Sequence, residues 1–395
     1  MKDLLVEDAR ALVLQDLPPV VAETVALQAA IGRVLAEAVV AGRDQPPFDA
    51  SAMDGWALSG PGSSYRIVGE SAAGHGYRQR LEAGEAVRIF TGAPVPAGAD
   101  RVALQEDCRR EDDRVQTPPP GEGSTHIRRA GGDFKAGERL LGPGMRLDAW
   151  RLGLAAAAGR ASLKVARRPK VVVLSTGEEI VPVGSTPGPD QIFNSSGPSL
   201  ASLIAAWGGE VIQVGQAGDD MDAIAGAVAA CGGDVVVTLG GASVGDHDLV
   251  KPALMRLGLV LRFETIKLRP GKPTWFGLLA DGRRIVGLPG NPASGLVCAE
   301  LVLRPLLNAL QGADPGPRLE TARLAKAMPA NSPREHWARG RLVTVDGVLQ
   351  AEAMTDQDSS LVSVFAHADC LIRREGGASA AQPGAVVTVL RLDRL

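Results

Sequence analysis

The 395-residue chain predicts a multidomain α/β protein: a doubly wound central domain, an inserted β-rich domain, a helical N-terminal arm and a C-terminal β-barrel. Three observations predict it. The short β-branched runs VVVL (Val171–Leu174), VVVTL (Val235–Leu239) and IVGL (Ile285–Leu288) lack polar alternation, as parallel strands covered on both faces do. Apolar helical segments lie between them, opened by Asp or Pro and closed by Gly-Gly pairs. On either side, short extended pieces are broken by Gly and Pro.

Taken in chain order, the opening stretch MKDLLVEDARALVLQ is charged and amphipathic, and reads as a helix rather than a secretory signal. Residues 46–140 form the β-rich domain, with YRIVGES, EAVRIF and DRVALQED as extended pieces. A helix over Asp148–Ala158 has Asp148 as its N-cap and Gly159 as its stop. With the first helix it is expected to make an arm, 1–45 and 141–167, that brackets the insert. The doubly wound domain spans 168–317. One of its helices runs from near Ser196 to Gly208-Gly209, the next from Asp219-Asp220 to Gly232-Gly233, and the last from PGNPAS to about Leu310. Residues 318–395 read as a β-barrel, with a hairpin around Asp346-Gly347 and AVVTVLRL as the final strand.

Composition bounds the function. Hydrophobic residues make up 45% of the chain and aromatics only 4%, so aliphatic side chains must build the cores. A net charge of −3 with interspersed signs offers no general attraction for nucleic acid or an anionic membrane. Four widely spaced cysteines argue against a disulfide framework or a zinc cage. No apolar run is expected to reach the ~20 residues of a membrane span, so a cytoplasmic protein is expected. The five histidines are scattered, and no Ser/His/Asp or Cys/His arrangement supports hydrolase chemistry.

Open α/β sheets bind ligands beyond the carboxyl ends of their strands. Three loops there stand out: STGEE with Thr176 and Gly177, LGGASVGDHD with Gly240, Gly241 and Ser243, and GLPGNPAS with Asn291. Their backbone N–H groups and helix dipoles suit phosphate. Each alone could be an ordinary turn; three on one edge favour a ligand. RPGKP adds Arg269 and Lys272, suited to phosphate or an oxyanion, with a solvated turn as the alternative. Glu178, Glu179, Asp219, Asp246 and Asp248 cluster in the same loops, and carboxylates beside phosphates suit Mg2+. Asp219 reads equally well as a helix cap. In the β-rich domain, PPFDASAMDGWA, RIFTGAPVP and HIRRAGGDFKAGE hold Asp54, Thr91, Arg128 and Asp133, which spacing alone would leave as turn residues.

In this order, SAMDGWA, FTGAPVP, IRRAGGDFKAGE, STGEEI, GGASVGDHD, RPGKP and GLPGNPAS resemble the molybdopterin molybdenumtransferase (MoeA) family, to which the C-terminal part of gephyrin is related. The motifs cover residues 46–295, and seven in sequence are highly specific. The resemblance implies four domains in a homodimer, with a doubly wound domain similar to that of molybdopterin adenylyltransferases. The implied reaction takes adenylylated molybdopterin and molybdate with Mg2+, inserts molybdenum at the dithiolene, cleaves the pyrophosphate link and releases AMP. The implied active site lies between the doubly wound domain of one subunit and the β-rich domain of the other.

Carried over by motif, Asp54 and Asp133 match acids needed for activity, and Thr91 and Arg128 match their polar neighbours. Glu179, Asp219 and Asp248 match acids of the nucleotide and metal region; Pro289 and Pro292 match the prolines of the LPGNP loop. Asp54, Glu179 and Asp248 are the metal candidates. Which acid holds Mg2+ and which orients the attacking water stays open, with Asp54 first for the hydrolytic step. Transient contacts with molybdopterin adenylyltransferase or apo-molybdoenzymes are implied as well.

The chain departs from the family at four places. Ala50 replaces Asn, Trp56 replaces Tyr, and Thr265 stands where a Lys often precedes the position of Arg269 by four residues, with Lys267 as a candidate substitute. QDSS (Gln357–Ser360) lacks the expected Gly, so no site residue is placed there. Two other readings are an adenylyltransferase acting on molybdopterin, which would not need the β-rich segment, and a scaffold, which would be expected to carry a long linker and an extra domain.

Overall fold

A strand buried on both faces sends alternate side chains into opposite layers. In the central sheet, Val171, Val173, Val235, Val237, Val286 and Leu288 pack on one face with Leu200 and Ile204 of the helix Ser196–Ala206. Val172, Leu174, Val236 and Ile285 pack on the other with Ile224 and Val228 of Met221–Ala230 and Leu254 of Val250–Met255. Burying each such aliphatic side chain contributes about 1.5–3 kcal/mol, which is why these runs are almost wholly aliphatic, with Thr238 the one polar residue in them. The computed structural model describes residues 1–119, 125–241 and 249–392. It divides into two compact units, Met1–Glu23 with Ala166–Leu395, and Thr24–Val165.

In the first unit the six-stranded sheet has the order Glu210–Ala217, Lys170–Thr176, Val235–Leu239, Arg284–Leu288, Trp275–Leu278, Val260–Phe263. The first four strands are parallel, and Trp275–Leu278 is antiparallel to both its neighbours. Strand–helix alternation therefore stops short of the end of the sheet. A tight turn at Asp281-Gly282 joins the strands on either side, and a connection that short can join only antiparallel strands. The apolar helix after GLPGNPAS runs as Pro292–Cys298, a π turn Ala299–Leu303 and Arg304–Leu310. Contrary to the expectation from composition, Pro292–Leu310 is long and apolar enough to cross a membrane, but 78% of it is buried within the protein, as in a core helix.

The first helix, Val6–Val13, also differs from expectation. Val6, Ala9 and Val13 form a stripe at helical spacing that packs into the core of the first unit, in contact with the π turn. The helix Ala149–Ala157 instead buries Ala155 among Ala30, Leu35, Val39, Leu147 and Val165. An apolar stripe goes to the largest available core, and no short sequence pattern says which core that is.

The second unit carries a six-stranded mixed sheet in the order Arg101–Leu104, Gly55–Leu58, Glu85–Ile89, Ser64–Ser71, Arg114–Gln116, Arg109–Glu111. Trp56 is a core residue there, packed with Leu58, Tyr65, Ala86 and Val115. In the first unit, Glu335–Val345, Val348–Ala353, Leu319–Leu324, Val386–Arg391 and Cys370–Arg374 close into a five-stranded barrel. Its Asp346-Gly347 turn has φ values of 50° and 77°, the paired left-handed residues that a two-residue hairpin loop requires. Asp148 caps its helix by accepting from Arg151 N–H at 2.9 Å. At the other Asp pair, Asp220 is the cap, accepting from Ala223 N–H at 2.8 Å, which leaves Asp219 available for another role.

Candidate functional site

The strand ends of the central sheet open onto one pocket of about 1300 Å3. Of the residues singled out from sequence, Thr176, Gly177, Glu179, Asp219, Gly240, Gly241, Arg269, Lys272, Pro289, Asn291 and Pro292 all line it. Ser243, Asp246 and Asp248 lie outside the described residues.

Strand order arranges these residues by charge. Asp219 and Glu179 follow the neighbouring strands Glu210–Ala217 and Lys170–Thr176, whose last residues, Ala217 and Thr176, are paired. The glycine loops follow the next two strands, paired at Leu239 and Leu288. Arg269 and Lys272 precede Trp275, which pairs with Gly287 and so enters the sheet at the same edge. Of these residues, the carboxylates Glu179 and Asp219 thus stand on one side of the pocket, backbone loops in the middle and the cations on the other, where Asp3 lies beside Lys272.

The middle is close-packed. Gly240 has φ 93°, and a Cβ there would lie 2.7 Å from the Thr176 carbonyl oxygen, so only glycine lets these loops meet. The helix N-terminus at Pro292 is not fully open to a ligand. Ala293 N–H donates to the Ser359 carbonyl at 3.0 Å, and the Asn291 side chain donates to Ser359 Oγ at 3.0 Å.

Ser359 belongs to QDSS, where sequence reasoning placed no site residue, yet Gln357, Asp358, Ser359 and Ser360 all line the pocket. Behind them, Arg339 is fully buried. Its Nη2 donates to the Asp358 carbonyl at 2.9 Å, while its Nε and Nη1 have no hydrogen-bond partner among the described residues. The Gln357 side chain bonds both main-chain groups of Arg339, at 2.9 Å each. Around His336 stand Arg269, Arg339, Arg374 and Arg334, while Asp356, Asp358 and Arg269 stand near Arg339; Arg269 and Arg374 each pair with His336 across neighbouring strands. Burial, reinforced by these guanidinium groups, lowers the His336 imidazole to about 4, so it is neutral near pH 7. Two buried donors of a guanidinium, without partners among the described residues and with Arg269 near, suit an oxyanion. Only the fold brings Arg334 to this pocket and sets Arg339 of the barrel strand behind Asp358; no local pattern in EHWARG points there.

Thr265 is buried, and its hydroxyl donates to Asp3 Oδ1 at 3.1 Å. Lys267, the candidate substitute, is not among the residues that line the pocket.

In the second unit, main-chain bonds knit the loops of Asp54, Thr91 and Arg128 together. Ala50 and Ser51 pair with Arg128 and Ile127, Ala52 N–H donates to the His126 carbonyl, and Gly92 N–H donates to the Ser51 carbonyl. Ala50, buried in this pairing, occupies a backbone position in which its side chain makes no polar contact. Asp54 Oδ1 accepts from Thr91 N–H at 2.7 Å and from Thr91 Oγ1 at 2.8 Å, and its second oxygen has no partner among the described residues. The Thr91 amide, then its hydroxyl, hold the Asp54 carboxyl below the usual range, so it is ionised at neutral pH. Asp133 lies in the adjoining loop, where its N–H donates to the Gln45 carbonyl and Asp49 accepts from Ala130 N–H at 2.8 Å and from Arg129 at 2.6 Å.

Among the described residues no three His, Cys, Asp or Glu side chains converge on a metal position. Glu179 and Asp219 fit the other mode, in which one or two carboxylates hold Mg2+ and phosphate oxygens complete the shell.

Three family models match the chain: "MoeA N-terminal region (domain I and II)" over residues 4–159, "Probable molybdopterin binding domain" over 172–309, and "MoeA C-terminal region (domain IV)" over 321–392. A molybdopterin molybdenumtransferase from Haemophilus influenzae is 34% identical over 410 aligned positions, covering 99% of each chain. One from Nostoc sp. is 35% identical, covering 83% of this chain and 79% of its own. A crystal structure of a molybdopterin biosynthesis MoeA protein from Pyrococcus horikosii superposes with a TM-score of 0.83 at 30% identity, covering 100% of both chains.

Proposed function

This chain belongs to the MoeA family of molybdenum cofactor biosynthesis, and we propose that it transfers molybdenum from molybdate to adenylylated molybdopterin with release of AMP. The observation that carries the reading is the charge order across one large pocket. An elongated substrate with phosphates would lie with them toward Glu179 and Asp219, over the backbone of Gly240, Gly241 and Pro289–Pro292. The molybdate oxyanion would lie toward Arg269 and Lys272, with Arg339 behind. Mg2+ held by Glu179 and Asp219 with the phosphate oxygens would neutralise phosphate charge when bound.

The chain's own residues then divide the work. The cations fix the oxyanion, and the glycine loops exclude side chains from the phosphates. Asp54, ionised and fixed by Thr91, orients a water for attack on the pyrophosphate link, with Asp133 and Arg128 in the adjoining loops. The homodimer that the resemblance implies would supply these loops from the second copy. The enzyme would work in the cytoplasm, handing its product to apo-molybdoenzymes.

Purified protein incubated with adenylylated molybdopterin, molybdate and Mg2+ should release AMP and yield cofactor that activates an apo-molybdoenzyme. Absence of AMP release would overturn the reading. Adenylylation of molybdopterin from ATP would instead favour an adenylyltransferase.

A further inference from the structure

The stretch Met1–Leu4 is built into the wall of the pocket. Leu4 bridges Ile266 in parallel. Glu264 N–H donates to the Met1 carbonyl at 2.8 Å, Leu4 N–H to the Thr265 carbonyl at 3.2 Å, and Lys267 N–H to the Leu4 carbonyl at 2.7 Å. These bonds lay the stretch alongside residues 264–267 as a short extra strand. Within it, Asp3 has φ 52°, the left-handed region that Asp and Asn tolerate better than most residues. Its N–H donates to Thr265 Oγ1 at 2.7 Å, and the Thr265 hydroxyl donates back to its Oδ1 at 3.1 Å. The same Oδ1 lies 3.6 Å from Lys272 Nζ. Lys2 is drawn to Glu264, at 3.4 Å. Asp3, Thr265 and Lys272 all line the pocket.

A carboxylate facing an anion site weakens binding there unless it first serves the cation. Here a buried threonine and a left-handed backbone hold it against Lys272. We propose that Asp3 is a built-in counter-ion of the pocket: it pairs with Lys272 while the pocket is empty and yields it to an entering oxyanion. Asp3 is then a positioning residue that sets how tightly the cation side binds and how strongly that binding depends on salt. This rests on the reading that Arg269 and Lys272 receive an oxyanion.

The test is calorimetric titration of the full chain with sodium molybdate at low and high ionic strength, using Asp3→Asn, Lys272→Met and the double variant. Asparagine keeps the threonine hydrogen bond and the backbone conformation while removing the charge. Asp3→Asn should tighten binding by about threefold at low salt, the scale of an exposed ion pair, and the gain should fade at high salt. Lys272→Met should weaken binding by at least about fivefold, and on that background the Asp3→Asn gain should shrink below about twofold. Unchanged or weaker binding by Asp3→Asn, with Lys272→Met still weakened, would overturn the counter-ion role alone. No weakening by Lys272→Met would overturn the oxyanion reading, and the counter-ion role with it.

Discussion

The strand ends of the central sheet and the loops of the insert are two regions built on opposite plans. At the sheet edge the middle is backbone, made accessible by Gly240 and its neighbours, with cations on one side. In the insert the loops are tied to one another by main-chain bonds, and what they present is a carboxylate, Asp54, with one oxygen fixed and the other open. The first plan suits holding a large anion; the second suits aiming a base at a water. Affinity and turnover should therefore be separable by mutation, each answering to its own region.

Asp54→Ala puts the largest effect on this division. It should lower AMP release by roughly a thousandfold, the scale of a lost general base, while nucleotide affinity stays within about twofold of wild type. Equal loss of both would make Asp54 a structural loop residue. If the two regions meet only across a dimer, mixing Asp54→Ala with Arg339→Met, at molybdate too dilute to fill the Arg339→Met site, should restore about a quarter of wild-type activity through mixed dimers with one intact site. No recovery after exchange of subunits would count against shared sites.

Arg339→Met tests the other region. Losing a buried guanidinium with free donors should weaken molybdate binding on the order of a hundredfold, by the worth of two charged hydrogen bonds. Nucleotide affinity should hardly change. A variant that binds molybdate normally would remove Arg339 from the oxyanion side.

The smallest effect is on stability and concerns His336. Its folded value of about 4 lies below the ordinary 6.5, so between those values the unfolded chain binds more protons than the folded one. Stability from the neutral imidazole is then complete above about pH 6.5 and lost as pH falls toward 4, on the order of 2 kcal/mol. Denaturant melts at pH 7 and pH 4.5 should show a loss in wild type that shrinks in His336→Asn. Saturating molybdate at pH 4.5 should recover part of it, because an oxyanion beside Arg269 and Arg339 screens the charge that disfavours the imidazolium. An identical pH profile in the variant would show that His336 does not titrate as described.

The sequence carried much of this arrangement because its physical causes are local. Period and burial select parallel strands, the loops at their carboxyl ends collect the ligand-facing residues, and glycine marks where backbones must meet; most of the pocket was legible that way. Three things were not local. Asp219 was read as either cap or ligand until Asp220 took the cap. The helix Val6–Val13 has an apolar stripe that any large core could bury, and it went to the sheet unit. Arg339, Ser359 and Asp3 come from segments distant in sequence from the loops they join. Hydrophobic period and turn chemistry, short-range properties of the chain, determined by themselves the elements and the sheet edge on which the site sits. Which buried charge faces that edge, and which carboxylate answers it, only the tertiary structure decided, because burial and charge pairing depend on neighbours that the chain meets only after it has folded.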